Sequence, residues 1–399
     1  MVAADLPIGQ RIRHYRKRAG REQAVVAGLC GLSTDYLSQI ERGIKTPSLQ
    51  VLQAIARELG VPVSALLDDT PAPAPAAVDA TPAPIVEALL GYGPARSAAP
   101  AEPAALRERV EGAWRIWQSS PSRFSDTAEL LPVLVADVEH AVRALRSDQA
   151  PRREALRASA DLYFLLRSYL RRTGRPDLAM MAADRAVRAA EDADDPLRIA
   201  AAQWNLGHAL LGADEPEGAE QVALRAAERV RADAPANAEA KALDGALQLV
   251  AVIAAARRRD WWGARDRLEE KATPTARVAG EGNVFWTVFG PTNVELHNVS
   301  IEMEAGQATE ALHMADAVDT SHLPSMERAF TFTLDVARCY DLRREDASAL
   351  LRLLDLERIA PEDLARTPVA RQIILTLLGR ARGMHARQVE GLATRLGIV

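Results

Sequence analysis

Two cysteines in 399 residues, Cys30 and Cys339, exclude a disulfide framework and a cysteine-based zinc site. They lie far apart, each within a helical pattern, as expected in a reducing compartment. No run of about 18 apolar residues occurs, so no membrane span is expected. The N-terminal residues also lack the apolar stretch of a signal peptide. The seven histidines are scattered, and none stands at metal-ligand spacing from a Cys, Asp or Glu. His-Glu-x-x-His, a phosphate loop and Gly-x-Ser-x-Gly are all missing. These absences argue against an enzyme and against a metal or cofactor. Lysine is scarce, four among 49 basic residues, and the abundance of Ala and Arg looks like the bias of a GC-rich genome. The reading is of a cytoplasmic protein without membrane contact.

Charge is distributed unevenly. Residues 1–67 hold nine Lys/Arg against five Asp/Glu, a balance of +4, whereas the whole chain is −5, leaving −9 for the remainder. Six basic residues lie between Arg11 and Arg21. A basic head on an acidic body fits a nucleic-acid reader carried by a part that does not itself touch nucleic acid.

The head has a helical pattern throughout. Ile8–Ala19 places Ile8, Ile12 and Tyr15 on one side, and Gln23–Cys30 turns Val26 and Ala27 inward. Gly31 supplies a left-handed turn and Ser33 caps the next helix. In that helix Tyr36, Leu37 and Ile40 form an apolar stripe. Thr34, Asp35, Ser38 and Gln39 stay on the outer face, side chains of the kind that read base edges in a major groove. Gly43 ends it. Pro47-Ser48 opens a helix carrying Leu49, Leu52, Ile55, Ala56 and Leu59, which Gly60 stops, and a last short helix runs from Val61-Pro62 to Leu66-Leu67. Five short helices with a sharp turn between the second and third make a helix-turn-helix unit.

On Gln23, Ala27, Gly31, Leu32-Ser33, Tyr36-Leu37-Ser38, Ile40-Glu41-Arg42-Gly43, Pro47-Ser48 and Gly60-Val61-Pro62, residues 7–67 resemble the XRE/Cro-like helix-turn-helix family of transcriptional repressors. The resemblance implies that Gln23 bonds a DNA phosphate while braced against the recognition helix. It also implies that Thr34, Asp35, Ser38 and Gln39 face bases, and that Arg42, Lys45 and Thr46 lie near the phosphate backbone. Three positions depart from the family: Arg21 for a buried aliphatic residue, Glu22 for a Thr or Ser cap, and Gly28 within a helix.

Residues 69–103 read as a linker. The Pro/Ala tract 69–84 favours extended conformations, and a second breaker-rich stretch follows at Gly91–Pro103. Between them the apolar island Ile85–Leu90 is either a docked turn or part of the linker. From about Ala104 every periodic segment is helical, and small residues recur as in a tetratricopeptide repeat: Leu206-Gly207 with Ala219, Ala223 and Ala226; Ala179, Ala183 and Ala186 after Leu166; Ala311 and Ala315 after Gly306. Inferred repeat starts fall near 160, 200, 245, 292 and 330, wider steps than the usual ~34. The expected fold is all-α: an N-terminal five-helix lambda-repressor-like helix-turn-helix domain (1–68), a Pro/Ala linker (69–103) and a C-terminal tetratricopeptide-like α-solenoid (104–399).

The concave face of such an array takes the first helix of each pair. Mapped onto the tetratricopeptide pattern, it presents Phe164 and Ser168, then Trp204, Asn205 and His208, Leu249 and Ile253, Asn293, Leu296, His297 and Ser300, and Leu334 and Arg338. Apolar walls with a few polar anchors suit a small molecule or peptide. The segment Gly282–Val294 breaks the helical monotony. Its Phe285, Trp286 and Phe289 either close over the groove or plug their own loop, and Pro291 with Thr292 and Asn293 suggests free N–H donors at a helix start. Trp261-Trp262 reads as packing between repeats. The expectation is a DNA-binding regulator acting as a homodimer on a palindromic operator and controlled by a small-molecule or peptide effector. The alternative is a helical scaffold whose head answers to a partner protein.

Overall fold

The computed structural model describes residues 8–18, 21–59, 63–66, 81–92, 99–233, 237–380, 382 and 384–398. All regular structure among them is helical, and the chain divides into two compact units, Met1–Asp79 and Ala80–Val399.

The first unit contains α1 (Ile8–Arg18), α2 (Gln23–Leu29), α3 (Thr34–Glu41), α4 (Leu49–Leu59) and α5 (Val63–Leu66). Gly31 and Gly43 both have positive φ, +68° and +74°, so each reverses the chain where a Cβ would be strained. The Ser33 hydroxyl accepts the Tyr36 N–H at 3.1 Å and caps α3. Ile12, Val26, Ala27, Leu37, Ile40, Ile55 and Leu66 make the core. Gly60, Val61, Pro62 and Leu67 lie outside the described residues.

The second unit begins with α6 (Ala83–Leu90), inside the stretch assigned to the linker. Ile85 and Leu89 are fully buried in the main core, and the Leu89 carbonyl accepts from Arg185 at 2.7 Å. The island is therefore part of the body. Residues 69–80 and 93–98 of that stretch lie outside the described residues. Antiparallel helices follow in series: α7 (Pro103–Ser119), α8 (Arg123–Ala144), α9 (Gln149–Arg172), α10 (Pro176–Asp192), α11 (Pro196–Gly212), α12 (Pro216–Asp233), α13 (Ala238–Arg257), α14 (Trp261–Arg267) and, after a π-helical turn, α15 (Thr273–Ala279). A 3₁₀ turn at Val284–Trp286 leads to α16 (Pro291–Glu304), α17 (Ala308–Ala315), α18 (Met326–Leu342), α19 (Asp346–Ile359), α20 (Pro361–Arg366), α21 (Pro368–Arg380) and α22 (Met384–Arg395).

The punctuation is regular. One left-handed residue sits in each tight turn after α9, α10, α11, α13, α16 and α18: Gly174, Asp194, Asp214, Arg259, Gly306 and Arg344. Gly306 is thus a turn residue, outside the helix that its place in the repeat pattern implied. Small residues permit close approach elsewhere. A Cβ on Gly207 would stand 2.8 Å from Val250 Cγ1, and Ala179, Ala183, Ala186, Ala219 and Ala223 are all buried.

The two ends of the array meet. Arg123, at the start of α8 and fully buried, donates from Nε to Asp363 Oδ2 of α20 at 2.9 Å. Its Nη2 bonds the other oxygen of that carboxylate, and its Nη1 reaches Glu327 of α18 at 3.4 Å. The guanidinium also lies 4.2 Å from the centre of the Trp117 ring. Beside it Glu362 accepts the Phe124 N–H at 2.8 Å. The helices between these ends line a central cavity.

Candidate functional site

On the head, α3 is held from below by a buried lock. Arg16 donates to both oxygens of Glu41, from Nε at 2.6 Å and Nη2 at 2.9 Å, and its Nη1 bonds the Arg21 carbonyl at 2.9 Å. Gln23 Nε2 donates to Glu41 Oε2 at 2.7 Å, so the start of α2 is tied to the end of α3. A bidentate Arg–carboxylate pair fixes orientation as well as distance. Arg11 and Arg16 are both buried, so the basic run is only partly a solvated face, with Arg13 and Lys17 as its exposed members.

Above the lock, Thr34 and Asp35 are exposed, and Ser38 and Gln39 partly so. Gln39 Nε2 donates to Asp35 Oδ2 at 2.7 Å. Arg42 Nε donates to the Ser38 carbonyl at 3.3 Å, and Lys45 Nζ lies 5.4 Å over the Tyr36 ring. Thr46 is exposed beyond them. Arg13, Lys17, Arg21 and Arg42 share one surface concavity with Gln23, Thr34 and Ser38. The structure accounts for the three unusual positions. Arg21 is half-exposed and pairs with Glu58. Glu22 stands at the N-cap of α2 and makes no side-chain cap bond. A Cβ on Gly28 would meet no atom within 4 Å. Gly28→Ala is therefore expected to stabilise the head by about 1 kcal/mol, read as a raised denaturant midpoint; a lowered midpoint would show a contact that the geometry lacks.

In the body, the cavity has a volume of about 390 Å³. Of the residues expected on the concave face, Ser168, Trp204, His208, Ile253, His297, Ser300, Leu334 and Arg338 line it, together with Trp286. The others do not reach it. Phe164 is fully buried in the core. Asn205, also fully buried, accepts from Arg167 Nε at 2.9 Å and donates to the Ala201 carbonyl at 2.8 Å. Leu249, Asn293 and Leu296 are buried behind the wall. The cavity is sunk toward the C-terminal turns of α9, α11, α13 and α16, so the repeat register places its face about one turn too early.

The aromatic loop divides its work. Trp286 stacks on Trp114 with ring centres 4.6 Å apart and 3° between planes, and forms cavity wall with Thr287 and Val288. Phe289 is buried, its ring filling the space where a Cβ on Gly245 of α13 would stand. Phe285 lies outside the cavity, 5.1 Å from the Arg198 guanidinium. Phe285, Trp286 and Val288 all have positive φ, 46°, 60° and 55°, a cost of order 1–3 kcal/mol each, held in place by these ring contacts. The helix start at Pro291 is not free, since the Thr292 N–H donates to Glu281 at 2.8 Å. Trp261 packs against the core as expected, but Trp262 is 83% exposed and packs between no repeats.

The sequence reading missed the arginines. Arg167, Arg171 and Arg172 of α9 and Arg328 of α18 line the cavity. Arg171 and Arg172 share one carboxylate, Glu327, at 3.2 and 2.6 Å. Burial, then the neighbouring Arg171 charge, pushes Arg167 down to about 9. Burial and the same guanidinium group of charges hold His208 well below the ordinary histidine value, and burial with Arg328 does so for His297. Both imidazoles are neutral at physiological pH. One signal was available: Arg167 directly follows the apolar run Leu162–Leu166.

Residues 7–68 match the family model described as a helix-turn-helix domain. The first unit is a helix-turn-helix domain of the kind found in transcriptional regulators. Over 63 residues it is 44% identical to the HTH-type transcriptional regulator SinR of Bacillus subtilis, covering 16% of this chain and 57% of that protein. It is 41% identical over 64 residues to the immunity repressor protein of Bacillus phage phi105, covering 16% of this chain and 44% of that one. The chain thus spans about half the length of the curated relatives it matches. The crystal structure of Bacillus thuringiensis PlcR in complex with the peptide PapR7 and DNA aligns with 86% of this chain and 98% of its own, at 11% identity and a TM-score of 0.33. So loose a superposition defines neither a shared repeat register nor a shared site.

Proposed function

We propose that the protein is a sequence-specific DNA-binding transcriptional regulator whose affinity for its operator is set by a small molecule or short peptide in the cavity of the helical body. The observation carrying the first half is the Arg16–Glu41–Gln23 lock, which fixes α3 while leaving Thr34, Asp35, Ser38 and Gln39 accessible. A rigid helix with short polar side chains reads bases, and the surrounding basic residues supply the salt-dependent phosphate contacts. Gln23, Arg42, Lys45 and Thr46 belong to that second group. Binding as a homodimer to a palindrome with half-sites about 34–36 Å apart follows from the usual geometry of such heads. A location with the DNA in the cytoplasm accords with two unpaired cysteines.

For the second half, the support is a cavity with four tryptophans and two neutral histidines on its walls. Its volume of about 390 Å³ favours a small occupant over a docked protein. A ligand bound more tightly in one arrangement of the helices shifts the population of that arrangement.

Selection of bound sequences from random duplex DNA by the full chain tests the reading. Ser38→Ala or Gln39→Ala is expected to relax preference at one or two positions, by about 1–3 kcal/mol of discrimination each. Arg42→Ala should weaken binding to all sequences alike and reduce the salt slope by about one. Selection that yields no enriched sequence would refute the proposal.

A further inference from the structure

Within the cavity, positive charge exceeds its internal compensation. Arg167 is 3% exposed, and its only hydrogen-bond partner among the described residues is the neutral amide of Asn205. The side chain of Arg328, on the cavity wall formed by α18, has no hydrogen bond or ion pair among the described residues. Glu327 is taken up by Arg172, Arg171 and Arg123, and the cavity's other carboxylates, Asp335 and Glu304, face Arg338 at 3.4 and 3.7 Å. The buried Nε2 of His297 also has no partner. Burying an unpaired guanidinium costs several kcal/mol unless an anion joins it. Beside these groups lie broad apolar faces: Trp114 stacked on Trp286, and Trp204, which is edge-on to His208 at 4.4 Å and carries Arg167 5.4 Å over its ring.

We infer that the cavity takes a small organic anion, with its oxyanion group against Arg167, Arg328 and His297 and an apolar, ring-sized body among Trp204, Trp114 and Trp286. Arg167 serves as a planar fork for a carboxylate or phosphate, already oriented by Asn205. The neutral His297 supplies an N–H without a second charge. A volume of about 390 Å³ lies at the small end of ligand sites, room for a compact molecule. This rests on the proposal that the cavity is a ligand site and narrows what binds there.

Two dyes with the same body separate the inference from its premise. Anilinonaphthalene sulfonate carries an anion, and N-phenylnaphthylamine lacks it. Titrated into the full-length protein and followed by energy transfer from tryptophan, the sulfonate should bind roughly tenfold tighter or more, the worth of one charge-assisted hydrogen bond. Arg167→Met should abolish that preference and leave the neutral dye's affinity in place. The same substitution should raise the melting temperature of the unliganded protein, because it removes an uncompensated buried charge; an arginine with a purely structural role would lower it. Arg328→Gln, at a half-exposed position, should reduce the preference in the same direction and serves if Arg167→Met does not fold. Equal binding of both dyes, unaffected by either variant but lost in Trp204→Ala, would overturn the anion while keeping the cavity as a site. Absence of any binding sensitive to Trp204→Ala would overturn both. Displacement of the sulfonate by naphthaleneacetate supports a free small acid; displacement only by an acetylated peptide with a free C-terminal carboxylate would overturn it.

Discussion

Replacing Arg123 by methionine is expected to destabilise the helical body by about 3–5 kcal/mol, the usual consequence of leaving one member of a buried ion pair without the other. Asp363 is 1% exposed and takes both its strong contacts from this guanidinium. Glu327 would keep Arg171 and Arg172, so the loss concentrates on Asp363. The double variant Arg123→Met, Asp363→Leu should recover most of the stability, since a hydrophobic pair of similar volume is often no worse than a buried ion pair. Urea unfolding of the two single variants and the double variant, arranged as a cycle, measures the coupling. Additive effects would mean that the two side chains do not act as a pair. The loss should also reach the cavity, because the residues that Arg123 joins hold α8 against α18 and α20.

Gly9→Ala should abolish DNA binding. A Cβ at this position on α1 would lie 2.0 Å from the Ile40 carbonyl oxygen, a backbone atom that has no rotamer to escape into. Overpacking ordinarily costs 1–3 kcal/mol, and a rigid obstacle places this case at about 3 or above. That is a large share of the stability of a domain of some 60 residues. It also strikes where α1 supports the recognition helix, so Arg16 could no longer reach Glu41. The prediction is loss of DNA-induced fluorescence anisotropy change and of the head's thermal transition. All six tryptophans lie beyond residue 100, so the tryptophan-reported transition of the body should remain. Gly9→Ala protein that binds DNA as well as the parent would refute the close packing of α1 on α3.

The helix-turn-helix was legible because its signals are local: Ser33 caps, Gly31 and Gly43 turn, and Leu37 and Ile40 are one turn apart. What was not legible depends on partners distant in sequence. Gly9 has no reason to be glycine until Ile40 is placed above it. Arg16 looks like one more member of a basic run until Glu41 is folded beneath it. In the body, periodicity separated the buried from the lining face but could not fix the depth of the cavity, so Phe164, Asn205 and Asn293 were placed on a wall that begins one turn later. Arg167 and Arg328 were overlooked because arginine on an Ala/Leu helix ordinarily points to water. The short α6 could not be assigned to linker or body because a helix of eight residues depends on tertiary packing for its stability.

A linear stack of helical hairpins holds each unit only by its neighbours, so it can fray from either end and can be shortened with proportionate loss. The contact of Arg123 with Asp363 and Glu327 changes that topology into a cycle. The terminal hairpins of an open stack open first; here, opening either end must first break a buried charge cluster. The cost shifts to the time of folding. Residues 123 and 363 are 240 positions apart, and a loop of that length closes only after the intervening hairpins have formed. During synthesis the pocket is therefore a late feature, and a nascent chain that has not reached α20 has helices but no completed pocket to fill.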